Sequence, residues 1–121
     1  MSPIQQRIIA VFFIAVLAVA LLTAPVHAQI DTGTILGTVR DRSGAVVPKA
    51  TVTLTNTGTS VSFTTETDDG GRYIFPATKI GSYQVAVEAP GFKKAVRSGI
   101  QLNIQQQAEI NVTLETGEIT Q

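Results

Sequence analysis

Few side chains in this 121-residue sequence could do chemistry. Asp68 and Asp69 stand together with Glu66 close before them, the main concentration of carboxylates. Paired-carboxylate catalysis needs two acids converging on one cleft. Adjacent residues in the Gly-flanked turn Asp68-Asp69-Gly70-Gly71 diverge instead. As calcium ligands these acids would supply oxygens, but the alternating Asp/Asn spacing and closing Glu of a helix-loop-helix calcium loop are missing. They read as turn formers. Nucleophilic catalysis requires a nucleophile with a base in reach. Ser and Thr hydroxyls abound, yet the sequence holds no Cys and a single His, His27, and no motif nominates a Lys as base. The absence of Cys also removes disulfides, thiolate metal sites and the lipid-bearing Cys of a bacterial lipoprotein.

Nine Lys plus Arg balance nine Asp plus Glu, and only Lys93 and Lys94 are adjacent basic residues. Phosphate binding needs a clustered positive field, so nucleic acid is excluded as a partner. The length allows one small domain and excludes a multi-domain enzyme. No catalytic residue, metal site or cofactor is expected.

The elements that would position any site fall into two unlike parts. Of 53 apolar residues, 20 lie in the first 28 positions. Residues 1–7 carry one positive charge, residues 8–22 form an unbroken apolar run, and residues 23–28 contain Pro25 and end Val26-His27-Ala28. That three-part layout predicts a signal peptide over residues 1–28, cleaved between Ala28 and Gln29. The fifteen-residue apolar run reaches only about 22 Å as a helix, short of the roughly 30 Å hydrocarbon core. No basic stop-transfer cluster follows. A cleaved leader is expected, His27 leaves with it, and the mature domain does not span a membrane.

From Gln29 onward the period is that of strands. Ile35, Gly37 and Val39 alternate with Leu36, Thr38 and Arg40, and Asp41-Arg42-Ser43-Gly44 supplies a turn before Val46 and Val47. Val52 and Leu54 alternate with Thr51, Thr53 and Thr55, a half-buried strand closed by Asn56-Thr57-Gly58, and Val61 and Phe63 open the next. The turn at 67–71 predicts a hairpin into Tyr73, Ile74 and Phe75, with Pro76 stopping the pairing. Tyr83, Val85 and Val87 share a face before the Pro90-Gly91 turn, and Phe92 starts an extended segment to Arg97. Beyond Ser98-Gly99, Ile100, Leu102 and Ile104 alternate with polar residues, and Ala108, Ile110, Val112 and Leu114 repeat the pattern. No mature window has helical spacing. The expected fold class is all-β, a sandwich of about seven strands.

The runs Ile35-Leu36-Gly37-Thr38-Val39-Arg40-Asp41, Ser43-Gly44-Ala45-Val46-Val47-Pro48-Lys49-Ala50-Thr51-Val52, Thr67-Asp68-Asp69-Gly70-Gly71-Arg72-Tyr73-Ile74-Phe75 and Gly81-Ser82-Tyr83-Gln84-Val85-Ala86-Val87-Glu88-Ala89-Pro90-Gly91-Phe92 carry a specific likeness. Over residues 29–114 the chain resembles the carboxypeptidase regulatory-like domain. The resemblance implies a transthyretin-like, seven-stranded Greek-key sandwich. In it, Gly37 would let a neighbouring side chain pack over the first strand, and Pro48 would rigidify the approach to the second. Where the family places an apolar residue shortly after Phe-Pro, this sequence has Thr78-Lys79, leaving Ile80 as the expected plug. The zinc site of metallocarboxypeptidases belongs to their catalytic domain, so the resemblance implies no peptidase activity.

A leader followed at once by such a domain is similar to the start of TonB-dependent outer-membrane receptors of Gram-negative bacteria, where the domain precedes a plug and β-barrel. The polar tail 115–121 resembles the linker into the plug. These likenesses imply a non-catalytic accessory domain, exported to the periplasm or outer membrane, either as the N-terminal part of a receptor or as a free-standing relative. The implied partner is the plug and barrel of a receptor, or another envelope protein.

Leu36 and Ile74 fall on strand faces where polar residues are expected, and form the candidate interaction surface. Related collagen-adhesin B-type repeats carry an internal isopeptide bond, which needs Lys, Asn and an acid buried together. Lys49 and Asn111 are present, but Lys49 follows Pro48 in a loop and Asn111 lies opposite Ile110 and Val112. The alternative function is a carbohydrate-binding module, since starch-binding modules share a similar sandwich. A sugar would stack on an exposed ring, whereas Phe63, Tyr73, Phe75, Tyr83 and Phe92 all read as inward.

Overall fold

The computed structural model describes residues 2–22 and 31–117. Helix α1 spans Pro3–Leu22 and buries none of its residues. It begins before the apolar run, so its twenty residues extend about 30 Å, enough to cross a bilayer. A signal sequence near an N-terminus has the same length and composition. The predicted junction of Ala28 and Gln29 lies outside the described residues.

Among the described residues eight strands follow: β1 (Thr32–Asp41), β2 (Thr51–Asn56), β3 (Ser62–Glu66), β4 (Arg72–Lys79), β5 (Gly81–Glu88), β6 (Ala95–Leu102), β7 (Gln107–Glu109) and β8 (Val112–Leu114). One sheet has the order β4-β1-β7, with β8 also on β1; the other has the order β3-β2-β5-β6. The pairs β2–β3, β2–β5, β5–β6 and β1–β4 are antiparallel, while β7 and β8 run parallel to β1. Period-two alternation in β1 and β2 turns Ile35, Val39, Val52 and Leu54 inward. They meet Tyr73, Phe75, Tyr83, Val85, Val87, Val112 and Leu114 in one core between the sheets. The expected β-sandwich is the observed one, with one strand more.

The differences have physical causes. The last alternation splits into β7 and β8 because the Asn111 side chain enters the ladder, its Oδ1 accepting the Thr38 N–H at 3.0 Å. Ser98-Gly99 does not end a strand: β6 runs through it, with a register shift opposite Tyr83 and Val85 and Gly99 at φ 73°. Ile104 lies beyond the end of β6 and is exposed. Pro76 does not stop pairing either. On β4, an edge strand, it tolerates the missing N–H, and an extra residue is absorbed between the Gly33–Thr78 and Ile35–Phe75 pairs, where Ala77 takes φ 50°. That bulge reverses the inside-outside phase. Thr78 is therefore buried, its hydroxyl donating to Phe75 O at 2.9 Å. Ile80, the expected plug, lies past the end of β4 in the link to β5 and is exposed.

The expected hairpin is absent as well. β3 pairs with β2 and β4 with β1, so the turn at 67–71 carries the chain from one sheet to the other. Thr67 anchors this crossover. Its hydroxyl donates to Val47 O (2.7 Å) and accepts from Ala50 N (2.8 Å), tying it to the approach to β2.

Candidate interaction surface

Of the carboxylates singled out for chemistry, Asp68 is held by the backbone. Asp68 Oδ1 accepts the N–H groups of Gly70 and Arg72, both at 2.9 Å, and Arg72 Nε lies 3.6 Å from Oδ2. The Arg72 N–H, with help from the Gly70 N–H and the Arg72 charge, holds its carboxyl below the usual range. Asp41 does the same work at its turn, accepting from Ser43 Oγ, Ser43 N and Ala45 N, and its pKa is lowered chiefly by the Ser43 hydroxyl. Among the described residues no three His, Cys, Asp or Glu side chains gather as metal ligands. Lys49 and Asn111 are both exposed, and Asn111 spends its amide on Thr38 N and Glu109 Oε1. The buried setting of an isopeptide bond is not formed.

Tyr73 lies in the core and donates to Ile110 O at 2.5 Å, and burial pushes its pKa up to about 12. Gly37 sits against the same carbonyl: a Cβ there would be 1.9 Å from Ile110 O. The neighbour that this glycine admits is thus backbone, together with the Tyr73 hydroxyl.

Leu36 and Ile74, far apart in sequence, are directly opposite each other across β1 and β4. Leu36 is half-buried and Ile74 is 54% exposed. Facing them across the side of the sandwich is β3, an edge strand with no buried residue. Phe63 pairs with the fully buried Leu54 and so shares its inward-reading face. The opposite sheet ends at β4 and leaves that face uncovered, so Phe63 is 54% exposed, contrary to the expectation that it is core. Phe92 is half-buried against the core, and Tyr73, Phe75 and Tyr83 are buried as expected.

Between the two edges lies a groove of about 760 Å³ lined by Val61, Phe63, Ile74, Ala77 and Ile80. A second hollow of about 510 Å³ shares Thr65 and Ile74 with it and continues to Leu36 and Glu109. Together they form one apolar track bordered by unpaired strand edges, a geometry suited to docking a chain or a domain. Phe63 was the part missed by sequence reasoning: its alternation signals a core residue, and only its place on an edge says otherwise.

Comparisons with known proteins agree with this architecture. The carboxypeptidase regulatory-like domain profile matches residues 34–115. No curated protein matches the sequence. Among solved structures, the Bacillus anthracis TIE protein superposes with a TM-score of 0.62 at 20% identity, over 71% of this chain and 17% of that one. Acinetobacter radioresistens catechol 1,2-dioxygenase gives 0.58 at 14% identity, over 75% and 54%. A candidate carbohydrate-binding protein from Bacteroides uniformis gives 0.57 at 16%, over 69% and 41%. The chain spans little more than half of these structures at most, and at such identities they share its fold alone.

Proposed function

We propose, for a chain that belongs to the carboxypeptidase regulatory-like domain family, a non-catalytic accessory domain exported to the envelope of a Gram-negative bacterium. Its partner is the plug and barrel of a TonB-dependent receptor or another envelope protein. The observation that carries this reading is the apolar track along β3 and β4, where Leu36, Ile74 and Phe63 are open to a partner. The apolar helix α1 supports export, and the carboxylates held by backbone N–H groups support a scaffold rather than a catalyst. A photo-reactive residue placed at Ile74 in the source cells should form an adduct with an outer-membrane receptor, while one at Arg42, in the exposed turn after β1, should not. Equal labelling from both positions would sink the docking reading.

Carbohydrate binding is the second reading, favoured by one observation: the ring of Phe63 stands in solvent beside the groove. It predicts that Phe63→Ala abolishes glycan retention without unfolding the domain. Retention unchanged by that substitution would remove it.

A further inference from the structure

Asn111 lies where β7 gives way to β8, in the run Glu109-Ile110-Asn111-Val112-Thr113. Of the three Asn residues in the sequence, only this one has a hydroxyl residue two positions on. Asn-x-Thr with x other than Pro is the acceptor pattern for N-linked glycosylation of exported chains. Glu109 completes the longer pattern, acid-x-Asn-x-Thr, that bacterial oligosaccharyltransferases select. The period of two in extended chain places Glu109, Asn111 and Thr113 on one side, and all three are exposed.

We propose that Asn111 is an N-glycan acceptor, modified by an envelope oligosaccharyltransferase from a lipid-diphosphate-linked oligosaccharide. The inference rests on the export proposed above. In the transfer, Asn111 Nδ2 attacks the anomeric carbon of the donor. A C–N bond forms as the C–O bond to the diphosphate breaks, the lipid diphosphate leaves with the bonding electrons, and one amide proton passes to a base of the transferase. No redox partner is needed.

The folded domain accommodates the product. Asn111 Oδ1 accepts from Thr38 N (3.0 Å) and its Nδ2 donates to Glu109 Oε1 (3.2 Å). A glycosylated amide retains its carbonyl oxygen and one N–H, so the bond that closes the ladder survives. Beside it runs a hollow of about 550 Å³ lined by Arg97, Gln101, Gln107 and Glu109, polar side chains suited to sugar hydroxyls. Because Thr38 fixes the amide once β1 and β8 are paired, transfer precedes folding, while the exported chain is still unfolded. The glycan then stands beside the outer edge of β7 and β8, strands of three residues each that pair only with β1. A bulky hydrophilic group there discourages edge-to-edge association and leaves the β3–β4 side open.

The test is to produce the full chain in Gram-negative cells carrying a bacterial oligosaccharyltransferase and a lipid-linked oligosaccharide of known mass. The periplasmic product is then read by intact mass and peptide mapping. The expected protein begins at Gln29 and carries one glycan on the peptide containing Asn111, lost in Thr113→Ala and reduced in Glu109→Gln. Both substitutions leave Asn111 and its bond to Thr38 in place, so misfolding does not confound them. A chain beginning at Gln29 with Asn111 unmodified, or a glycan that persists in Thr113→Ala, overturns the inference and leaves export standing. A chain retaining Met1 with no glycan overturns both.

Discussion

Replacing Gly37 by Ala should be among the most damaging single-methyl changes in the domain. The added Cβ would lie 1.9 Å from Ile110 O, 2.7 Å from Ile110 C and 2.9 Å from the Tyr73 hydroxyl. Two of these atoms are backbone, so the obstacle cannot rotate away. Restoring ordinary contact requires β1 and the β7–β8 segment to part by about 1.5 Å. That movement breaks Ile110 N to Leu36 O (2.7 Å) and Thr38 N to Asn111 Oδ1 (3.0 Å), about 1 kcal/mol each. It also strips the Tyr73 hydroxyl of its acceptor, which costs roughly 1–3 kcal/mol when the group stays buried. The lower chain entropy of Ala offsets about 0.5–1 kcal/mol. The net loss is about 2–4 kcal/mol, a large share of the roughly 5–15 kcal/mol that holds a domain together. With a urea m-value near 1 kcal/mol/M, the midpoint should fall by about 2–4 M. Tyrosine fluorescence can follow the transition, since the protein has no Trp. Gly44→Ala is the control: Gly44 has φ 89° with nothing within 4 Å of the added Cβ, so only backbone strain is introduced. Its cost should be about 1 kcal/mol. A Gly37→Ala midpoint no lower than that of Gly44→Ala would refute the steric argument.

Thr67→Val should cost about 2–3 kcal/mol by orphaning the Ala50 N–H and Val47 carbonyl, while Thr67→Ser should restore most of it; thermal melts of the three proteins decide. Asp41 and Asp68 have folded pKa values below their unfolded ones. Their contribution is therefore present above the unfolded carboxylate range and lost as pH falls through the lowered values, and in Asp41→Asn/Asp68→Asn the melting temperature should drop less on acidification. Tyr73 shifts the other way. Its contribution is intact below the ordinary tyrosine pKa near 10 and lost as pH rises through about 12, so in a tyrosinate absorbance titration the Tyr73 ring should titrate late, and Tyr73→Phe should remove that component.

Much of the fold was legible because its determinants are local. Alternation at Ile35, Val39, Val52 and Leu54 announces half-buried strands whatever lies opposite, and Asp68 builds its turn from N–H groups two and four residues away. The candidate surface was legible in part. Leu36 and Ile74 were conspicuous one at a time, as apolar residues on polar faces, but nothing local says that they are paired.

The sequence by itself determined that an apolar leader-like helix precedes a β-domain, which side chains alternate inward, and that Asp41 and Asp68 serve turns. Only tertiary structure decided which inward-reading side chains are actually covered. Phe63 and Leu54 carry the same pattern, yet one is half exposed and the other sealed, because the opposing sheet ends at β4. Thr78 is buried through one bulged residue opposite Gly33 and Ile35, while Ile80, past the end of β4, stays exposed. The physical reason is common to both: alternation specifies a face, whereas burial depends on register and on how far the facing sheet extends, and these are set by pairings between segments distant in the chain.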